Sequence, residues 1–136
     1  MQKIYFTLEK AREVILFMRP KVAKLINMHK SLDVLDSIEI EYEDEFKTTI
    51  QDIKLNKKFH KLSLEFYILM EKLHVIGCYV KDLDKGLFDF YSFYDGREIL
   101  LCWNVTEPTI RYWHEIYHGY ECRKPVSLLY SKNLLK

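Results

Sequence analysis

The chain of 136 residues has four glycines, at positions 77, 86, 96 and 119, and therefore none in its first 76 residues. Glycine loses more conformational freedom in a helix than any other residue and is the one that tight turns demand. A glycine-free run of that length points to long helices, and the later spacing points to strands joined by turns. The expected fold class is α+β: a long antiparallel helical hairpin over 1–76, then a three-stranded antiparallel meander and a short C-terminal helix over 77–136. No serine-, glycine- or proline-rich linker separates the two parts, so 1–136 is expected to pack as a single domain of ordinary size.

The first half carries helical periodicity. Thr7 is a good N-cap, and Glu9 lies where a carboxylate favours a helix N-terminus. Leu8, Ala11, Ile15, Met18, Val22 and Leu25 follow at alternating steps of three and four, with Leu32 continuing the series. Leu16, Phe17 and Ile26 widen the stripe, so this helix is expected to be covered on more than one side. Pro20 costs about 3 kcal/mol in a helix interior and predicts a kink near Met18–Lys21. A second helix carries Leu55, Phe59, Leu62, Phe66, Leu69, Leu73 and Ile76, with Gly77 as its stop. Between them, 37–48 fits either a strand or a helix. An acidic run (Asp33, Asp36, Glu39, Glu41, Glu43, Asp44, Glu45) precedes Lys47, Lys54, Lys57, Lys58 and Lys61. The two groups read as solvated faces or as complementary charges between helices or between subunits.

The second half reads as strands Cys78–Leu83, Leu87–Tyr94 and Arg97–Val105. Asp95-Gly96 suits a two-residue type I′ turn, which needs positive φ at both positions. Counting back from it pairs Phe88 with Trp103, Phe90 with Leu101 and Ser92 with Ile99 on the expected core face. The other face pairs Asp89 with Cys102, Leu87 with Asn104, Tyr91 with Leu100 and Phe93 with Glu98. A short helix capped by Thr106 and stopped by Gly119 is expected to approach that second face and direct His114 at Asp89 and Cys102. A buried carboxylate needs a partner, and His114, Arg123 and Lys81 are the nearest candidates by chain logic.

Composition narrows the function classes. With 21 basic and 20 acidic residues the net charge is +1, which removes the electrostatic case for nucleic acid. Aromatic residues on the strands could stack bases, but no basic, glycine-containing strand motif accompanies them. No apolar stretch approaches the ~20 residues of a membrane helix, and the charged first ten residues lack a signal core. Three cysteines without a Cys-x-x-Cys pair fit a reducing cytosol, so a cytoplasmic location is expected.

His114 to His118 spells H-E-x-x-H, in which two histidines on one helix face reach a zinc ion and the glutamate acts as base. Catalytic zinc takes a third protein ligand, and no Asp, Glu or His follows Glu121. A zinc metalloprotease is therefore set aside. No metal or other cofactor is expected, with zinc on His114 and His118 as the alternative. Asp82 to Gly86 lacks the remaining carboxylates of a calcium loop and reads as turn chemistry.

The strings VKDLDKGLFDF (80–90), DGREILLCW (95–103), EPTIRYWHE (107–115) and GYECRKP (119–125), with YFTLEKA (5–11), resemble a small bacterial and archaeal family, domain of unknown function 2203. The helical middle carries no part of the resemblance. What it implies is fold and kinship, without an activity. Its matching positions are Asp82, Asp84, Gly86, Asp89, Cys102, Trp103, Trp113, His114, Gly119 and Arg123. His118 falls outside that pattern, which argues further against the zincin reading.

Two function classes follow. The first is a small cytosolic binding or protein-interaction module that associates as a homodimer through its helical seams. The alternative is a small enzyme or metal-dependent ligand site built around Asp89, Cys102, His114 and Arg123, with Asp82 as a further candidate ligand. There the cysteine would act as nucleophile or ligand and the histidine as base.

Overall fold

Thr7 caps the first helix, its hydroxyl oxygen accepting the Lys10 amide at 3.1 Å. The computed structural model describes residues 3–37 and 45–130. In chain order they form α1 (Leu8–Ser37), α2 (Glu45–Ile76), β1 (Tyr79–Asp82), β2 (Leu87–Tyr94), β3 (Arg97–Asn104), β4 (Tyr112–Glu115), a 3-10 turn (Tyr120–Cys122), β5 (Lys124–Pro125) and α3 (Ser127–Tyr130). The ambiguous stretch between the helices lies, over 38–44, outside the described residues. The α+β architecture of hairpin, antiparallel sheet and short C-terminal helix holds. The sheet, however, has five strands in the order β1-β2-β3-β4-β5, where three were expected.

The α1 seam packs as its spacing predicts. Leu8, Ala11, Ile15, Met18, Val22 and Leu25 are all buried and share one core with Phe88, Phe90, Ile99, Leu101, Trp103 and Trp113 of the sheet. Burying those seam side chains contributes on the order of 10 kcal/mol by area. That outweighs the ~3 kcal/mol cost of an interior proline, and α1 runs through Pro20 as one helix. Leu16 and Phe17 do not widen the core. They stand 68% and 65% exposed, while Ile26 is half-buried.

α2 ends at a glycine-dependent cap. Gly77 donates to the His74 carbonyl and Cys78 to the Leu73 carbonyl, each at 3.0 Å, the paired bonds of a Schellman motif. Gly77 has φ +102°, and a Cβ there would lie 2.6 Å from the Phe6 ring. Phe6 is itself held by its amide on the Tyr91 carbonyl (2.8 Å) and by Ser92 Oγ donating to its carbonyl (2.5 Å). The N-terminal segment thereby borders β2 beyond the end of β1.

Every expected β2–β3 pair is present, from Leu87–Asn104 through Asp89–Cys102 to Tyr94–Arg97. Asp95 and Gly96 both have positive φ, 53° and 75°, as a type I′ turn requires.

The expected helix over 106–118 is a turn followed by strand β4. Local chemistry accounts for the change. Asn104 Oδ1 accepts the Thr106 amide (3.0 Å) and hydroxyl (2.8 Å), so Thr106 closes a side-chain turn instead of capping a helix. Arg19 then donates to the carbonyls of Val105, Glu107 and Pro108, and Arg12 to that of Ile110. Carbonyls drawn towards the guanidinium groups of α1 are satisfied without helical bonds. The chain extends instead, and β4 pairs along β3, Leu100 opposite His114 and Cys102 opposite Tyr112.

Strand alternation sends Glu115 to the face opposite His114. There it is buried and accepts Arg97 Nε and Nη2 at 2.7 and 2.8 Å, with Lys124 Nζ at 3.7 Å. This group ties β3, β4 and β5 together. The Arg97 guanidinium holds the Glu115 carboxyl below its ordinary value of 4.5.

Two outcomes follow for stability. Gly77→Ala is expected to lower unfolding stability by about 1–3 kcal/mol, because it combines a strained φ with a clash. Gly96→Ala, with open space at its Cβ, is expected to be milder in the same urea titrations. Glu115→Gln is expected to cost about 1–3 kcal/mol at neutral pH. A carboxyl whose folded pKa is depressed contributes stability fully above its unfolded value. That contribution is lost as pH falls through the folded value. Urea midpoints of wild type and Glu115→Gln should therefore converge in acid.

Candidate functional site

The face of the sheet away from α1 carries the candidate residues. Asp89 on β2 lies opposite Cys102 on β3, and His114 on β4 sits diagonally across from Cys102, beside Leu100. All three are buried, and one oxygen, sulfur or nitrogen of each lies within 4.8 Å of the others. The expected helix over the sheet is absent, yet His114 reaches the expected neighbours because its strand joins the same sheet.

The hydrogen bonds define the state of the imidazole. His114 Nδ1 lies 2.8 Å from the Glu115 carbonyl, an acceptor, so Nδ1 carries the proton and donates. Nε2 therefore has a lone pair, which accepts from the Lys81 ammonium at 3.2 Å. Lys81 Nζ also lies 3.8 Å from Asp89 Oδ2. Its position comes from an irregularity in β1, where the register against β2 shifts between Val80 and Asp82. Bulges of this kind re-aim a side chain.

Cys102 is protonated at neutral pH. Burial, and after it the negative charge of Asp89, push its thiol up to about 12. Cys78 is likewise pushed up to about 12, by burial and then by Asp89. A thiol in that state is a weak nucleophile. The group can bind a cation more readily than it can attack an electrophile.

Arg123 borders the group, and Asp82 shapes a turn. Arg123 Nη2 donates to Glu107 Oε1 at 2.7 Å and to the Cys102 carbonyl at 3.5 Å, and its guanidinium covers the Tyr112 ring at 4.1 Å. It braces the strand that carries the thiol. Asp82 Oδ1 accepts the Lys85 amide at 3.0 Å and shapes the β1–β2 turn. His118 follows β4 and does not join His114 in any metal-capable group among the described residues. The H-E-x-x-H spacing lacks the helix that gives it meaning. A second such group joins His29 to Asp84 (2.9 Å) and Asp33 (3.5 Å), but its carboxylates are exposed, and it reads as a tie between α1 and the β1–β2 turn. Glu115 was not among the expected site or core residues. Only the strand assignment of 112–115 reveals its burial.

The model of the DUF2203 family, described as an uncharacterized conserved protein, matches residues 4–126. The chain belongs to that family. No curated protein and no solved structure matches it.

The three cysteines are free, Cys122 exposed and the other two buried. Alkylation of the native chain at mildly alkaline pH is expected to label Cys122 quickly. Cys78 and Cys102 should react only in denaturant. Mass mapping of the labelled peptides checks this, and fast native labelling of Cys102 would contradict the assigned thiol state.

Proposed function

We propose that this DUF2203 protein is a protein-interaction module whose helical hairpin pairs with a second copy of the chain. The observation that carries the reading is that α2 is apolar on two opposite sides. Phe66 and Leu73 are buried, with Leu62 and Leu69 packed beside them. At 100° per residue, Leu64, Ile68 and Val75 fall on the far side of the helix from that seam. They are 63%, 45% and 57% exposed. A helix with two apolar sides and one partner leaves the second side to water, and apolar surface of that kind marks association.

Charge favours a second copy as the occupant. A hollow of 410 Å³ along α2, lined by Ile68, Val75 and Ile76, has Lys21, Lys72 and Glu71 at its margin. A neighbouring hollow adds Lys24. The same chain carries, in its sequence, an acidic run between Asp33 and Glu45. A chain with both signs of charge can complement itself across a two-fold axis, as isologous interfaces require. The free thiols suit a reducing compartment, so the cytosol is the proposed location. Among the described residues no helix is long and apolar enough to cross a membrane.

The enzyme reading has less support, since the Cys102 thiol is held protonated and is a weak nucleophile. Sedimentation equilibrium of the full chain is expected to give a dimer at micromolar concentration. Ile68→Glu should weaken it roughly 30-fold or more, equivalent to ~2 kcal/mol, without lowering the helical circular dichroism. A wild-type monomer at high micromolar concentration would overturn the proposal.

A further inference from the structure

Two acceptors face each other within the sheet's second face. His114 Nε2 bears a lone pair, and Asp89 Oδ1 lies 3.5 Å from it. Neither can donate to the other, given the proton on Nδ1. Asp89 is only 7% exposed, and its Oδ1 has no hydrogen-bond partner. A buried carboxylate oxygen without a partner is costly, and so is a lone pair pointed at it. A cation held between them satisfies both. Lys81 does this in part, reaching Nε2 and the other carboxylate oxygen, but its ammonium leaves Oδ1 unpaired. The third group nearby is the thiol of Cys102, which is hydrogen-bonded to the Asp89 carboxylate.

We propose that Asp89, Cys102 and His114 form a binding site for a divalent transition-metal ion of the zinc class, one ion per chain. The donor set selects the metal. One imidazole and one sulfur suit zinc and its neighbours, whereas calcium and magnesium take oxygen ligands. Tetrahedral zinc at its usual bond lengths separates its donors by ~3.3–3.8 Å. The nitrogen–oxygen separation of 3.5 Å is already in that range, and the sulfur needs to approach by roughly 1 Å at most. His114 also has the second contact that metal-bound histidines show, its other ring nitrogen donating to a backbone carbonyl.

The charges balance as well. A divalent ion with one carboxylate, one thiolate and a neutral imidazole makes a neutral group, which tolerates burial. On binding, the Cys102 S–H bond is replaced by a sulfur–metal bond and the proton passes to solvent. Lys81 keeps its proton and turns outward, its side chain being a quarter exposed at the rim. The fourth coordination position faces the place the ammonium leaves. The ligands come from three adjacent strands, and His118 has no part in the site.

Cobalt(II) added to the metal-free full-length chain tests this. The expected result is a sulfur-to-cobalt charge-transfer absorption with intense four-coordinate bands, saturating at one equivalent and abolished by zinc. Cys102→Ser should remove the charge-transfer band, and Asp89→Asn should weaken binding at least ~10-fold. Lys81→Met, at the rim, should tighten binding several-fold by removing a competing positive charge. Zinc should raise the thermal unfolding temperature of the wild-type chain, a readout independent of whether the site variants fold. Absence of the sulfur band in both wild type and Lys81→Met would overturn the proposal. So would a band that survives Cys102→Ser but vanishes in Cys122→Ser, or a wild-type unfolding temperature indifferent to zinc.

Discussion

The Asp95–Gly96 turn sets the register of β2 against β3, and both faces of the sheet depend on it. With φ of 53° and 75°, the two residues close the hairpin without a third. Side chains alternate with period two, so a slip of one residue would exchange the faces. Phe88, Phe90, Leu101 and Trp103 would leave the α1 seam, and Asp89 would enter an apolar core. The cost of that burial makes the alternative register untenable.

A second constraint comes from α1 and concerns hydrogen bonds more than apolar area. Arg12 and Arg19 are seven residues apart, so they project from the same side of the helix. Between them they accept the burden of four backbone carbonyls, those of Val105, Glu107, Pro108 and Ile110. Those contacts satisfy the segment without helical bonds and leave it to pair with β3. Without it, His114 and Trp113 would share one helix side. As a strand, the chain sends Trp113 into the core and His114 to the opposite face, where the carboxylate and thiol lie. The same alternation buries Glu115 against Arg97 and Lys124.

These placements separate two kinds of surface. The hairpin offers apolar side chains on the outer side of α2, suited to another helix pair. The sheet offers a small polar group sealed among Leu87, Leu100 and aromatic neighbours, suited to something no larger than an ion. Lys81 links two members of that group, its ammonium lying 3.2 Å from His114 Nε2 and 3.8 Å from Asp89 Oδ2.

What the sequence by itself determined was whatever rests on contacts close in the chain. The α1 seam followed from steps of three and four, the α2 stop from Gly77, and the β2–β3 pairing from two turn residues. Asp89 and Cys102 were legible as neighbours for that reason, since counting along two strands from a tight turn needs no tertiary information. The strand at Tyr112–Glu115 was not legible. Thr106 and Pro108 carry an ordinary helix-start signal, and what overrides it is a pair of arginines about ninety residues earlier. The Glu107 partner of Arg123 was not legible for a related reason: the turn that brings the carboxylate to it forms only in the folded chain. Tertiary structure decided these points because a backbone carbonyl takes whichever donor reaches it, and no local pattern records a donor from a distant helix.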